Sequence, residues 1–201
     1  MTDRRYISCA NTAKLVRAAL KKAFPATTFS VRSSTYAGGA SIDIRWNDGP
    51  VWKDVEAVAQ QYASARFDGM IDLKTSVDHW LLPNGDAIVA RDRGTLGSMG
   101  VRPSEENAPP CPGAERVSFG ADYISCSRNL TDAFVASVKA GFATLSEEDR
   151  FAALRAVDPI RICYGITSYG ADPTFEQFGK EADRVVIALA RNTPSLTQAA
   201  A

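Results

Sequence analysis

Apolar positions recur at helical spacing near the start of the chain: Leu15, Val16, Ala19, Leu20 and Phe24. This predicts a first helix, capped by Asn11 or Thr12 and ended near Phe24-Pro25. The period then changes from about four to two. In Thr28–Ser33, Phe29 and Val31 point one way, Ser30 and Arg32 the other. After Gly38-Gly39, suited to a turn, Ser41–Trp46 alternates again, with Ile42, Ile44 and Trp46 inward and Ser41, Asp43 and Arg45 outward. Two paired strands follow, with Arg32, Asp43 and Arg45 on the face away from the core.

Helical spacing returns at Trp52, Val55, Val58, Ala59 and Tyr62. Asp48-Gly49-Pro50 ahead of them is read as the helix start, Asp48 supplying a capping carboxylate. Phe67-Asp68-Gly69-Met70 breaks this second helix, and an extended run begins at Ile71. Asn84-Gly85 between two strand-like runs predicts a hairpin, the second arm ending at Arg91. The order is α-β-β-α-β-β, so the fold class is α+β: a helix-backed antiparallel sheet followed by a mainly helical C-terminal part.

From Gly94 to Ala114 the pattern loses any period and is punctuated by glycine and proline, which reads as a long loop or linker. Beyond it come a strand within Glu115–Ser125, with Val117, Phe119 and Ala121 alternating at its start, a helix over Leu130–Leu145 with Phe134, Val138 and Phe142 on one face, a helix start at Ser146, a short strand over Ile160–Ile166 and a helix over Thr174–Arg191. The expected organisation is residues 1–95 as the α+β domain, 96–115 as linker, 116–192 as an α-rich region and 193–201 as a frayed tail.

Composition narrows the chemistry. The 201 residues hold 23 Lys+Arg against 23 Asp+Glu, so binding to nucleic acid through a global basic field is excluded and any phosphate contact needs a local patch. The four cysteines form no C-x-x-C pair and His79 is the single histidine, so they read as buried or free thiols in a reducing cytosol. The N-terminal residues carry no secretory h-region and no apolar run is long enough to span a bilayer, which makes a cytoplasmic protein the expectation.

Within this stretch, Phe24-Pro25, Phe29-Ser30-Val31-Arg32-Ser33, Ser41-Ile42-Asp43, Trp46, Asp48-Gly49-Pro50 and Phe67-Asp68-Gly69-Met70 together resemble the twenty-ninth of the large polyvalent protein-associated domains of phages and conjugative elements, over residues 11–91. The resemblance implies a mobile-element setting and raises the expectation that the chain counters a host defence system such as CRISPR or restriction. It supplies no catalytic residues.

The chemical candidates are few. Asp43 with Asp72-Leu73-Lys74 has the residue types of a metal-dependent nuclease, two carboxylates for Mg²⁺ and a lysine for the attacking water, at loose spacing. Asp78-His79 has a base and a neighbour, but adjacent strand residues face opposite ways. No catalytic residue, metal site or cofactor is therefore assigned. The reading is a non-enzymatic mobile-element protein that binds a host defence protein or ribonucleoprotein complex, with a nucleic-acid-binding or nucleic-acid-processing module as the alternative. Candidate contacts are Lys14, Arg17 and Lys21 on the first helix and Arg32 and Arg45 on the open sheet face.

Overall fold

A computed structural model describes residues 4–92, 94–96, 98–100, 107–146, 148–149 and 190–191. The elements are β1 (Arg5–Ile7), α1 (Cys9–Ala23), β2 (Ser30–Tyr36), β3 (Gly39–Asn47), α2 (Trp52–Ala59) extended by a 3-10 turn through Tyr62, β4 (Ala65–Asp68), β5 (Leu73–Leu81), β6 (Ala87–Asp92), β7 (Glu115–Phe119), β8 (Tyr123–Asn129) and α3 (Asp132–Thr144). The α+β class is as the sequence indicates. The expected strand over Ile160–Ile166 and the expected helix over Thr174–Arg191 lie outside the described residues, except that 190–191 are helical.

The strands form two sheets. One has the order β2-β3-β8; the other runs β1-β7-β5-β4, with β6 also on β5. The β1–β7 pair is parallel, whereas β2–β3, β4–β5, β5–β6 and β5–β7 are antiparallel. Two compact units emerge: Met1–Trp46 with Lys53–Ser127, and Asn47–Trp52 with Arg128–Ala201.

In the first unit the alternation sorts side chains as expected. Val31, Ile42, Ile44 and Trp46 are buried, along with Val16 and Leu20 of α1, Val55 and Ala59 of α2, and Val117 and Phe119 of β7. Each such side chain is worth roughly 1.5–3 kcal/mol, so this shared core outweighs any exposed ion pair. Phe29 rests between the rings of Phe24 and Trp46, at centroid distances of 6.0 and 5.7 Å. Tyr62 is buried, and its hydroxyl donates to the Gly85 carbonyl at 2.9 Å. Trp52 departs from its expected inward place and is exposed.

Three local details differ from the sequence reading. The α1 cap is Ser8, whose hydroxyl accepts from the Asn11 N–H, because β1 feeds the helix directly. Thr12 is inside the first turn and buried, its hydroxyl donating to the Ser8 carbonyl at 3.0 Å. Residues 65–68 are a strand, so Phe67-Asp68-Gly69-Met70 closes one arm of a hairpin instead of simply ending a helix. Asp68 accepts from the Met70 N–H and the Thr95 hydroxyl, and Met70 and Met99 stand 93% and 84% exposed.

In the second unit Asp48 sits at φ 48°. Its carboxylate accepts from the N–H and the hydroxyl of Thr131, both at 2.8 Å, at the start of α3. It does not cap α2, because Gly49, Pro50 and Val51 separate it from that helix. Arg128 donates to the carbonyls of Asp48, Gly49, Ala190 and Arg191, a set that explains Asp48-Gly49 as a backbone anchor.

Candidate interaction surface

The helix cations come first. Lys14, Arg17 and Lys21 are all exposed on α1 because Val16 and Leu20 commit the opposite side to the core. Arg17 reaches across to donate to the Val31 carbonyl of β2 at 2.8 Å. Lys22, one residue beyond Lys21, pairs with Asp86 at 3.3 Å. Lys14 and Lys21 make no hydrogen bond or ion pair among the described residues.

The second set lies on the open face of the three-stranded sheet. Register pairs Arg32 with Asp43, Ser30 with Arg45, Ser34 with Ser41 and Tyr36 with Gly39. Tyr123 and Ser125 present the same alternating exposed positions on β8. Asp43 accepts from the Arg45 guanidinium at 2.7 Å and from the Ser125 hydroxyl at 3.1 Å. The Arg45 side chain is still 71% exposed, and a pair this solvated contributes about 0–1 kcal/mol, so Arg45 is held loosely. The Arg32 side chain has no hydrogen-bond or ion-pair partner among the described residues. The structure thus brings Arg32 and Arg45 onto one face, as expected, while the α1 cations lie on a helix whose buried side meets the other face.

One end of the open face carries a cluster that sequence reasoning did not find. Lys74 pairs with Asp122 at 2.8 Å, and its ammonium lies 5.5 Å from the centroid of the Tyr123 ring. The Asp122 hydrogen bond holds the Lys74 ammonium above its ordinary pKa. Ser64 donates to Asp122 and to the Ala121 carbonyl. Gly39 leaves room for this cluster: a Cβ would stand 2.9 Å from an Asp122 oxygen and 3.2 Å from the Tyr36 ring, so those side chains would have to shift. The signal for this cluster lay in the alternation of β2 and β8, but only their common pairing to β3 places Tyr36 and Tyr123 on one face.

The Asp43, Asp72 and Lys74 combination is divided differently. Lys74 is engaged by Asp122 and Asp43 by Arg45 and Ser125, while Asp72 occupies the β4–β5 turn at φ 52°, exposed. Asp78 and His79 face opposite sides, as strand geometry requires. Asp78 is held between Arg4 at 2.8 Å and Arg116 at 3.2 Å. His79 is buried against Phe119, centroids 5.0 Å apart, and burial pulls its pKa down to about 4, so the ring is neutral near pH 7. Of the cysteines, Cys9, Cys111 and Cys126 are free thiols, and burial pushes Cys126 up to about 12; Cys163 lies outside the described residues. Among the described residues no three His, Cys, Asp or Glu side chains gather as metal ligands, and no helix is long and apolar enough to cross a membrane.

The family model described as large polyvalent protein associated domain 29 matches residues 7–131. That span begins at Ile7, the last residue of β1, runs from α1 through β8 and stops at the Thr131 cap, so it includes the whole three-stranded sheet with its open face. Neither the curated proteins nor the solved structures contain a match to this chain. The setting that follows from the family is that of phages and other mobile elements.

Proposed function

Given that the chain belongs to the large polyvalent protein associated domain 29 family, we propose that it is a non-enzymatic binding protein which obstructs a host defence system, CRISPR among them, by occupying an anionic surface of a protein or ribonucleoprotein complex. The observation that carries this reading is a set of cations with no internal counter-charge. Lys14 and Lys21 on α1, and Arg32 on the open sheet face, are exposed and make no ion pair among the described residues. Uncompensated cations on a chain of zero net charge point to an acidic partner, because they add association rate and register without adding a fold-stabilising contact. Arg17 and Arg45 extend the two groups, with one hydrogen bond each already made within the chain.

The test is charge reversal in two sets: Lys14→Glu with Lys21→Glu, and Arg32→Glu with Arg45→Glu. Both proteins should melt within about 1 kcal/mol of wild type, since exposed charges contribute little. The measurement is phage plating or plasmid establishment in hosts carrying a defined defence system, with and without the protein. At least one set should abolish the protection that wild type gives. Protection unchanged by both folded variants sinks the electrostatic reading, and wild type giving none against a broad panel of defence systems sinks the biological one.

A further inference from the structure

The open face of the three-stranded sheet is polar and aromatic. Its side chains are serine, arginine, aspartate and tyrosine, with no aliphatic anchor. Tyrosine and arginine are residue types that protein interfaces and single-strand sites share, but this face offers a folded protein no aliphatic centre to bury. What the face does present is two exposed tyrosine rings at one end, Tyr36 at 47% and Tyr123 at 45% exposure, and guanidinium groups further along. Lys74 stands at the ring end, oriented by Asp122 and lying over Tyr123.

We propose that this face binds a single-stranded nucleic acid segment, with bases stacked on Tyr36 and Tyr123 and the sugar–phosphate backbone running past Lys74 toward Arg32 and Arg45. The inference deepens the reading of the chain as a binder of anionic complexes, on which it rests, by naming the chemistry of the ligand on one of its two candidate surfaces. A single strand supplies the three things the face lacks: π-faces for the rings, negative charge for the guanidinium groups, and hydrogen-bond acceptors for the serines between them. A duplex keeps its bases stacked on each other and offers the rings nothing. The face carries Arg32, Arg45 and Lys74 against Asp43 and Asp122. Both carboxylates are bound to cations of the chain itself, so neither presents a bare charge to phosphate. Arg32 is left over as a phosphate contact. Gly39 completes the platform: a side chain there would displace the Asp122 carboxylate and the Tyr36 ring from their present positions.

The experiment is fluorescence anisotropy of labelled oligouridine and oligothymidine, about a dozen nucleotides long, and of a duplex of equal length, against the full chain. Wild type should bind the single strands and prefer them to the duplex. Tyr36→Ala and Tyr123→Ala should each weaken binding about ten-fold or more, whereas Tyr36→Phe and Tyr123→Phe should stay within roughly two-fold, because the stacking face is retained. Arg32→Ala should reduce the slope of log affinity against log salt by about 0.7. Both tyrosines are exposed, so unchanged melting curves confirm folding of the alanine variants. Equal affinity for duplex, binding untouched by both alanine variants, or no binding of single strands overturns the inference.

The two proposals fail separately. Lys14→Glu with Lys21→Glu should leave oligonucleotide binding in place. A protein that protects in cells yet binds no single strand overturns only the ligand assignment. One that binds single strands yet protects against no defence system overturns only the biological role.

Discussion

The two sheets each turn one face away from the core, and they treat arginine and aspartate in opposite ways. On the five-stranded sheet, Asp78, Trp80 and Arg116 lie on that outer face, with Trp80 registered against Arg116 and Asp78 against Arg91. Asn107 is fixed beside Trp80: Trp80 donates its indole N–H to the Asn107 carbonyl, and Asn107 donates to the Ala90 and Val89 carbonyls, while Arg4 adds a second cation to Asp78. The Asp78 and Arg116 side chains keep only 11% and 13% of their exposure. On the three-stranded sheet nothing among the described residues covers the equivalent face, and Asp43 and Arg45 meet in solvent. The same residue types are structural on one face and available on the other. Coverage decides, because an ion pair out of water cannot exchange partners without stranding a charge.

The comparison can be broken most directly at Asp78. Asp78→Ala removes the buried carboxylate that Arg4 and Arg116 share and should cost about 3–5 kcal/mol in a urea melt. A loss under 1 kcal/mol would make the covered face no different from the open one.

Next in size is the acid response of the same strand. His79 has a folded-state pKa of about 4 against an ordinary 6.5, because burial disfavours the imidazolium. The unfolded chain therefore binds the extra proton first. The stabilisation is fully present above 6.5 and is lost as pH falls through 4, a swing of roughly 3 kcal/mol at this one site. In parallel melts across that range, His79→Leu should show a correspondingly shallower loss. Identical profiles for the two proteins would place the acid sensitivity elsewhere.

The smallest effect belongs to the open face. Asp43→Ala and Arg45→Ala should each change stability by about 0–1 kcal/mol, within the range of exposed pairs. A double-mutant cycle giving more than about 2 kcal/mol of coupling would show that the pair is rigid, and would remove Arg45 from the cations free to meet a ligand.

Long alternations and helical stripes were legible directly. Ile42, Ile44 and Trp46 needed only period two, and Val16 and Leu20 only period three to four. Short strands were not: Arg5–Ile7 and Ala65–Asp68 hold too few residues to show a period, and they exist because β7 and β5 offer backbone partners. Asp48 misled for a related reason. Local chemistry marks it as a cap, but the group it caps is Thr131, far along the chain. Arg32 and Arg45 followed from register within one hairpin. Tyr36, Lys74 and the adjacent pair Asp122-Tyr123 come from three separate places and meet only when β8 joins β3 and when β5 approaches the turn before β8, an arrangement no local pattern encodes.

The hairpin turn after β4 has a use of its own. Met70 and Met99 hold their thioethers almost wholly in solvent, away from the core. Mild peroxide would convert them to sulfoxides without opening the fold, since neither packs against anything that must move. Each added oxygen is a mass label on a single peptide. A partner seated over either residue would slow its labelling, so the sulfur chemistry of two side chains records, peptide by peptide, which surface was shielded.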